Sequence, residues 1–298
     1  MSRRSWLLFS AMCVIWGIPY LLIRVAVRDF SPGALVFART GIGGLVLLPV
    51  ALRGGGFGPI LRHWRPLVAF SVIELAVPWL LLSDAEEKLS SSLSGLLVAA
   101  VPLVGVIVTL LVRSGDRLGG PRIAALLLGF VGVASLVGLD LHQLHGRALV
   151  ELALVVIGYA VAPMIMARHL ADLPRVPVVA ASLLLTAVGY LPVAVLSRPR
   201  HVTGESLASV AVLGVVCTAV AFVLFFELIA DIGPVRATVI TYVNPAVAVL
   251  LGVLLLGEHF TAGMAVGFPL ILLGSILGAR SSYAPDAGSA TPAEVAIG

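Results

Sequence analysis

GPVRATVITYVNPAVAVLLGVLLLGEHF, Gly233 to Phe260, is the stretch on which the reading of this chain turns. From Val235 to Leu256 it runs for 22 residues with Arg236 as the only charge. A helix rising ~1.5 Å per residue covers ~33 Å over that length, enough to cross a hydrocarbon core of ~30 Å. Pro245 stands near the middle of the run. Proline has no amide hydrogen for the carbonyl of Thr241, so a polar group is freed at membrane depth. Such a break persists only where protein or a water-lined cavity satisfies the freed group. The run closes on Gly257-Glu258-His259.

The same design occurs upstream. LSSSLSGLLVAAVPLVGVIVTLLVRSGDRL, Leu89 to Leu118, carries Ser91, Pro102 and Asp116 where the later copy has Pro234, Pro245 and Glu258. The offset is 143 residues for the first two pairs and 142 for the third. The chain is therefore read as a duplication.

Composition fixes the setting. Of 298 residues 60% are apolar and only 11% charged, whereas a soluble chain carries about 25% charged residues. The apolar residues form long blocks without strand-like alternation, which points to an all-α integral membrane protein. Of the 19 basic residues all but Lys88 are arginines, mostly in short loops, so the net charge of +4 reflects membrane topology and no nucleic-acid partner is expected. Cys13 and Cys217 lie inside apolar runs, which argues against a disulfide framework or a metal site. The N-terminal MSRRSWLLF has the look of an export signal, but the apolar run continues to Val27 without a small-residue cleavage site and is read as an uncleaved first span.

Ten transmembrane helices are expected, at roughly 6–26, 32–52, 67–86, 91–112, 120–140, 149–169, 176–196, 206–230, 234–256 and 262–280. They divide into a first five-helix repeat within residues 1–140 and a second within 149–280, followed by a disordered tail, 281–298, rich in Ala, Ser, Pro and Gly. With the N-terminus inside, twelve arginines fall on the inner side and six basic residues on the outer, so both termini are expected in the cytoplasm. An odd number of spans per half makes the second repeat inverted relative to the first. Inverted repeats with broken helices mark secondary transporters, whose sites lie near the midplane.

Trp16-Gly17 in span one, Arg39 in span two and two copies of the proline-centred helix followed by Gly-Glu or Gly-Asp resemble the EamA-type permeases of the drug/metabolite transporter superfamily. The likeness covers about residues 5 to 280. It implies a ten-helix fold whose central cavity is lined by the first four helices of each half, with helices five and ten peripheral. It also implies movement of small metabolites, often outward, and a structural role for an arginine near Arg39.

Two ionisable residues lie deep in predicted spans, Arg39 and Glu74. A charge at that depth costs roughly 2.5–3.5 kcal/mol on insertion scales, so each should face the bundle interior and have a partner. Ser71, Glu74 and Pro78 fall at i, i+3 and i+7, one face of a helix and a candidate cavity lining. The competing reading is that Arg39 and Glu74 neutralise each other and only lock helices. At Glu74 burial disfavours a carboxylate and a neighbouring guanidinium favours it, which leaves proton coupling and direct substrate binding both open. In span nine Thr238, Thr241, Tyr242 and Asn244 surround Pro245, and their hydroxyls and amide are candidates for holding a polar substrate group or for interhelical hydrogen bonding. Trp16, Tyr20, Trp79 and Tyr159 are the candidate aromatic wall, with packing as the alternative. Glu258 and Asp116, at helix ends, are read as structural, and the serines from Ser90 to Ser94 as a helix cap and a packing surface.

Phosphate-loop, HExxH and C-x-x-C signatures are absent, and no cofactor is expected. The function read from the sequence is a secondary transporter, an exporter of small metabolites such as amino acids or drugs, in the inner or plasma membrane. A membrane-embedded enzyme on a lipid-linked substrate and a non-transporting scaffold are the rivals. The expected partners are a small-molecule substrate and the bilayer, with proton coupling and a homodimer left open.

Overall fold

A bilayer offers no water to backbone amides, so apolar stretches of this length satisfy themselves as helices. The computed structural model of the protein describes residues 2–54, 56–112, 120–138, 145–197, 199 and 201–281. Asp116 and the tail from 282 onward lie outside the described residues, as does the side chain of Thr238. Eight helices are long and apolar enough to span: α1 (Arg3–Ala26), α2 (Pro32–Arg53), α3 (Trp64–Glu86), α4 (Ser91–Thr109), α6 (Gly146–His169), α7 (Arg175–Leu196), α8 (Gly204–Ile232) and α9 (Val239–Leu256). Two shorter apolar helices, α5 (Ile123–Val137) and α10 (Ala262–Leu277), complete the ten among the described residues. Leucines such as Leu196, 87% exposed, and Leu254, 68% exposed, face outward, as on a surface set in lipid.

The packing repeats between the halves. α2 crosses α7, α4 packs on α9 and α5 on α10, while α3 meets α6 and α1 meets α8. Exchanging each helix for its counterpart five places on maps this pattern onto itself. The fold is two inverted five-helix repeats interlocked about a pseudo-twofold axis. α5 and α10 approach most closely. A Cβ built on Gly267 would stand 2.6 Å from the carbonyl oxygen of Gly132, and one on Gly274 2.6 Å from the amide nitrogen of Gly129. Backbone and the root of Leu136 already fill the space a side chain at Gly267 would need.

Several spans are irregular. α1 is interrupted at Trp16–Ile18, where Gly17 and Ile18 both donate to the carbonyl of Val14. α4 is interrupted at Ala99–Ala100, just before Pro102, and α9 passes through a 3-10 segment, Thr238–Tyr242, just before Pro245. α3 and α8 each contain a π segment, Ser71–Ala76 and Val215–Val220, at matching places in the two repeats. The first packs on α7 and the second on α2. The two π segments therefore meet the α2–α7 crossing, one on each of its helices.

Candidate functional site

The run TGIGGLV, Thr40 to Val46, brings α2 close to both α7 and α8. A Cβ on Gly43 would come within 2.7 Å of Thr218 Cγ2, and one on Gly44 within 2.8 Å of Leu184 Cδ2. This crossing carries Arg39, which is only 7% exposed. Its Nε donates to Thr218 Oγ1 at 3.1 Å. Thr218, midway along α8, donates in turn to the carbonyl of Leu213 at 2.8 Å, five residues back, the spacing a π turn creates. On its other side the Arg39 guanidinium lies 3.6 Å from the centre of the Trp79 ring. A desolvated cation stacked on indole gains about 2 kcal/mol. Arg39 thus ties the first repeat, through Trp79, to the second, through Thr218.

The other polar groups gather around it. Tyr20, Glu86 and Tyr159 lie within electrostatic range of Arg39. Tyr159 packs against two of the apolar clusters of the core. Glu74 stands in the π segment of α3, within electrostatic range of Tyr159, and its Oε2 is buried without a hydrogen-bond partner among the described residues. Glu86 is fully buried, and neither of its carboxylate oxygens has a partner there. Arg24 instead gives its Nη1 to the main-chain carbonyl of Glu86.

The structure separates residues that the sequence placed together. Arg39 and Glu74 form no ion pair, since Arg39 is committed to Thr218 and Trp79. The π turn adds a residue at Ser71–Ala76, so Ser71, Glu74 and Pro78 do not stack at α-helical spacing. Ser71 is buried and returns its hydroxyl to the Leu67 carbonyl at 2.7 Å. Trp16 leaves the group of Tyr20, Trp79 and Tyr159 and packs with Phe225, ring centres 4.6 Å apart, and Phe222, 6.0 Å. Asn244, with its amide turned to suit its neighbours, donates to the carbonyls of Cys13 at 3.0 Å and Ile240 at 2.9 Å. The Cys13 carbonyl is the one that the break in α1 deprives of Gly17, so Asn244 joins the interruptions of α1 and α9. Thr241 and Tyr242 are half-buried in the same 3-10 segment as Thr238, and Pro245 is buried.

Sequence reasoning missed Thr218 and Glu86 as members of this cluster. Nothing in VVCTAV announces a π turn. Glu86, however, follows Trp79 by seven residues, two turns along one face, and that spacing was available in the sequence.

At one end of the bundle the halves are clasped by a single carboxylate. Gly257 ends α9 at φ 66°, a conformation glycine adopts freely, and turns Glu258 back toward the start of α4. Glu258 Oε1 accepts from the amide and hydroxyl of Ser91 at 2.7 and 2.9 Å, and Oε2 accepts from those of Ser92 at 2.9 and 2.5 Å. The amides are unpaired donors at a helix N-terminus, which also favours negative charge. Gly252 leaves the space, because a Cβ there would stand 2.4 Å from both Glu258 Oε2 and Ser92 Oγ. At this end too, Asp29 Oδ2 accepts from the amide and hydroxyl of Thr203, which hold its carboxyl below the usual range. Arg147 there bridges Asp84 at 2.9 Å and Glu151 at 2.7 Å. At the opposite end Arg4 pairs with Glu227 and Asp231 on the surface.

This arrangement has relatives. The profile of the EamA-like transporter family matches the chain twice, at residues 4–138 and 147–279. A protein named "Uncharacterized inner membrane transporter YedA" from Escherichia coli K12 is 27% identical over 92% of this chain and 90% of its own. Protein PecM of Dickeya dadantii is 25% identical over 90% of each chain. An "Uncharacterized transporter" of Archaeoglobus fulgidus is 21% identical over 91% of this chain and 97% of its own. One solved crystal structure superposes with a TM-score of 0.67 over 94% of this chain and 99% of that one at 22% identity, a likeness of fold alone. The chain is a multi-pass membrane protein, and it belongs to the EamA-like transporter family.

Proposed function

We propose that the chain is a secondary transporter that exports a small metabolite by alternating access, its two repeats rocking about the Arg39 cluster. The observation that carries the reading is Arg39 itself. It is buried, it has no carboxylate in ion-pair range among the described residues, and it is held jointly by Trp79 of one repeat and Thr218 of the other. A guanidinium kept in that state at membrane depth suits an arriving anionic group. The contacts of Glu258, Asp29 and Arg147 support a closed gate at their end of the bundle. The repeats proposed are residues 1–140 and 149–280, in the inner or plasma membrane with both termini in the cytoplasm.

Reconstituted protein tested with radiolabelled metabolites should show counterflow of at least one compound, and flux indistinguishable from empty liposomes across a broad panel would refute transport. Glu74→Gln separates the coupling readings. Under proton coupling the variant inserts and keeps part of its substrate exchange while losing uptake driven by a proton gradient. Loss of both with normal insertion would assign Glu74 to direct substrate binding, and wild-type rates in both would reduce it to packing.

Orientation is tested by single cysteines in a Cys-less background. Replacements of Glu87 and Arg198 should react with an impermeant thiol reagent on intact cells, and those of Arg62 and Arg117 only after permeabilisation. The reverse pattern would invert the topology.

A further inference from the structure

Two ionisable groups of opposite kind are buried in this bundle, and each lacks the partner that the other would supply. Glu86 is 0% exposed, with both carboxylate oxygens unpartnered among the described residues. Arg39 is 7% exposed and bonded to neutral groups only, Thr218 and the Trp79 ring. They lie within electrostatic range of each other but do not meet. The other charges near Glu86 do not complete it: Arg24 is bound to the Glu86 main chain, and Glu258 is engaged by Ser91 and Ser92. Glu74 is the other carboxyl of this helix with a buried, unpartnered oxygen, and it stands in the π segment, three turns before Glu86.

We propose that Arg39 and Glu86 are the two ends of one substrate site, and that the transported molecule carries an anionic group for Arg39 and a cationic group for Glu86, separated by a short chain. This rests on the transporter reading above and names its substrate class. The helix supplies the ruler. The Arg39 guanidinium sits over Trp79, and Glu86 is seven residues further along the same face of α3, about 10 Å at ~1.5 Å per residue. Side chains on a helix lean the same way, toward its N-terminus, so the offset persists at their tips. Taking that axial spacing as the separation of the two groups, charge-assisted contacts of about 2.8 Å at each end leave about 4–5 Å between the ligand's own charges. An ω-amino acid fits that interval. An α-amino acid, whose two charges flank one carbon, cannot reach both ends. Tyr20 and Tyr159 lie within electrostatic range of both groups. A ligand of the right length recovers two buried charges at once, whereas a singly charged one leaves the other uncompensated.

The test is the thermal stabilisation of the purified full-length protein by 4-aminobutyrate, butyrate, butylamine and alanine. The half-saturating concentration of 4-aminobutyrate should lie at least about tenfold below those of the other three, a difference of about 1.4 kcal/mol. Glu86→Gln should erase that preference and leave the response to butyrate unchanged. Equal responses to 4-aminobutyrate and butyrate, no response to any of the four, or a preference that survives Glu86→Gln would overturn the proposal. Should the variant not fold, the wild-type series decides alone. Counterflow keeps the two readings apart. A binding preference without exchange in proteoliposomes supports the site and removes transport, and exchange of other metabolites without the preference removes the site and keeps transport.

Discussion

Glu258→Ala should lower stability by about 2–4 kcal/mol and reduce counterflow to background, because four donors lose their acceptor together. The Ser91 and Ser92 hydroxyls can turn elsewhere, but the two amides are fixed by the helix and cannot. Glu258→Gln sharpens the argument. It keeps shape and length, yet its amide nitrogen faces an amide and a hydroxyl that both donate. The Gln variant should therefore fall near Ala and well below wild type in midpoint denaturation. A Gln variant as stable as wild type would show that the clasp is held by packing at Gly95 and Gly252 and owes little to the carboxylate.

Gly267→Leu should be as damaging through a different link. A Cβ on Gly267 meets the Gly132 carbonyl oxygen and Leu136 Cγ at 2.6 Å and the Leu136 amide at 3.0 Å, so the new atoms run into backbone and the root of a branched side chain. Overpacking in a compliant core costs about 1–3 kcal/mol. Here the helices themselves must separate, and the cost should reach or exceed the upper end of that range. The effect belongs to assembly and not to the central site, so the variant should lose folded yield in detergent while the surviving fraction binds ligand with wild-type affinity. A matching loss in Gly132→Leu would locate the damage at the contact, because Gly132 faces Gly267 across it. Unchanged yield in both variants would mean that α5 and α10 are not packed this way.

Much of the architecture was readable because it rests on spacing. The matched positions of Ser91 with Pro234 and Pro102 with Pro245 announce two copies of one unit, and an odd number of spans per copy forces their inversion. The interruption of α1 was readable only in part: Pro19 opens its second segment and cannot donate to Ile15, but what satisfies the opened turn was hidden. Gly17 alone does not break a helix, and the break survives because Asn244, more than two hundred residues away, takes the abandoned carbonyl. Arg39 and Glu74 could be assigned to apolar helices by hydropathy, but hydropathy says nothing of azimuth. Whether two buried charges meet depends on helix rotation, and the π turn resets that rotation in α3. Glu86 was hidden by its neighbours. In DAEEK it reads as one charge among several in a solvated turn, while its seven-residue spacing from Trp79 puts it on the buried face.

The paired π segments also bear on how the length of this chain can change. A π turn closes its hydrogen bond five residues back where an α turn closes it four back, so each segment holds one residue beyond what a regular helix needs. Deleting a residue within 71–76 or 215–220 lets the turn relax to α while the helix on either side keeps its facing. The same deletion elsewhere in α3 or α8 rotates everything beyond it by about 100°, turning lipid-facing leucines inward and buried carboxyls out. Between related chains, single-residue gaps inside these two spans should therefore settle at the π turns. A relative shorter by one residue there retains both ends of its helix in place but loses the bulge that offers Glu74 or Thr218 to the centre of the bundle.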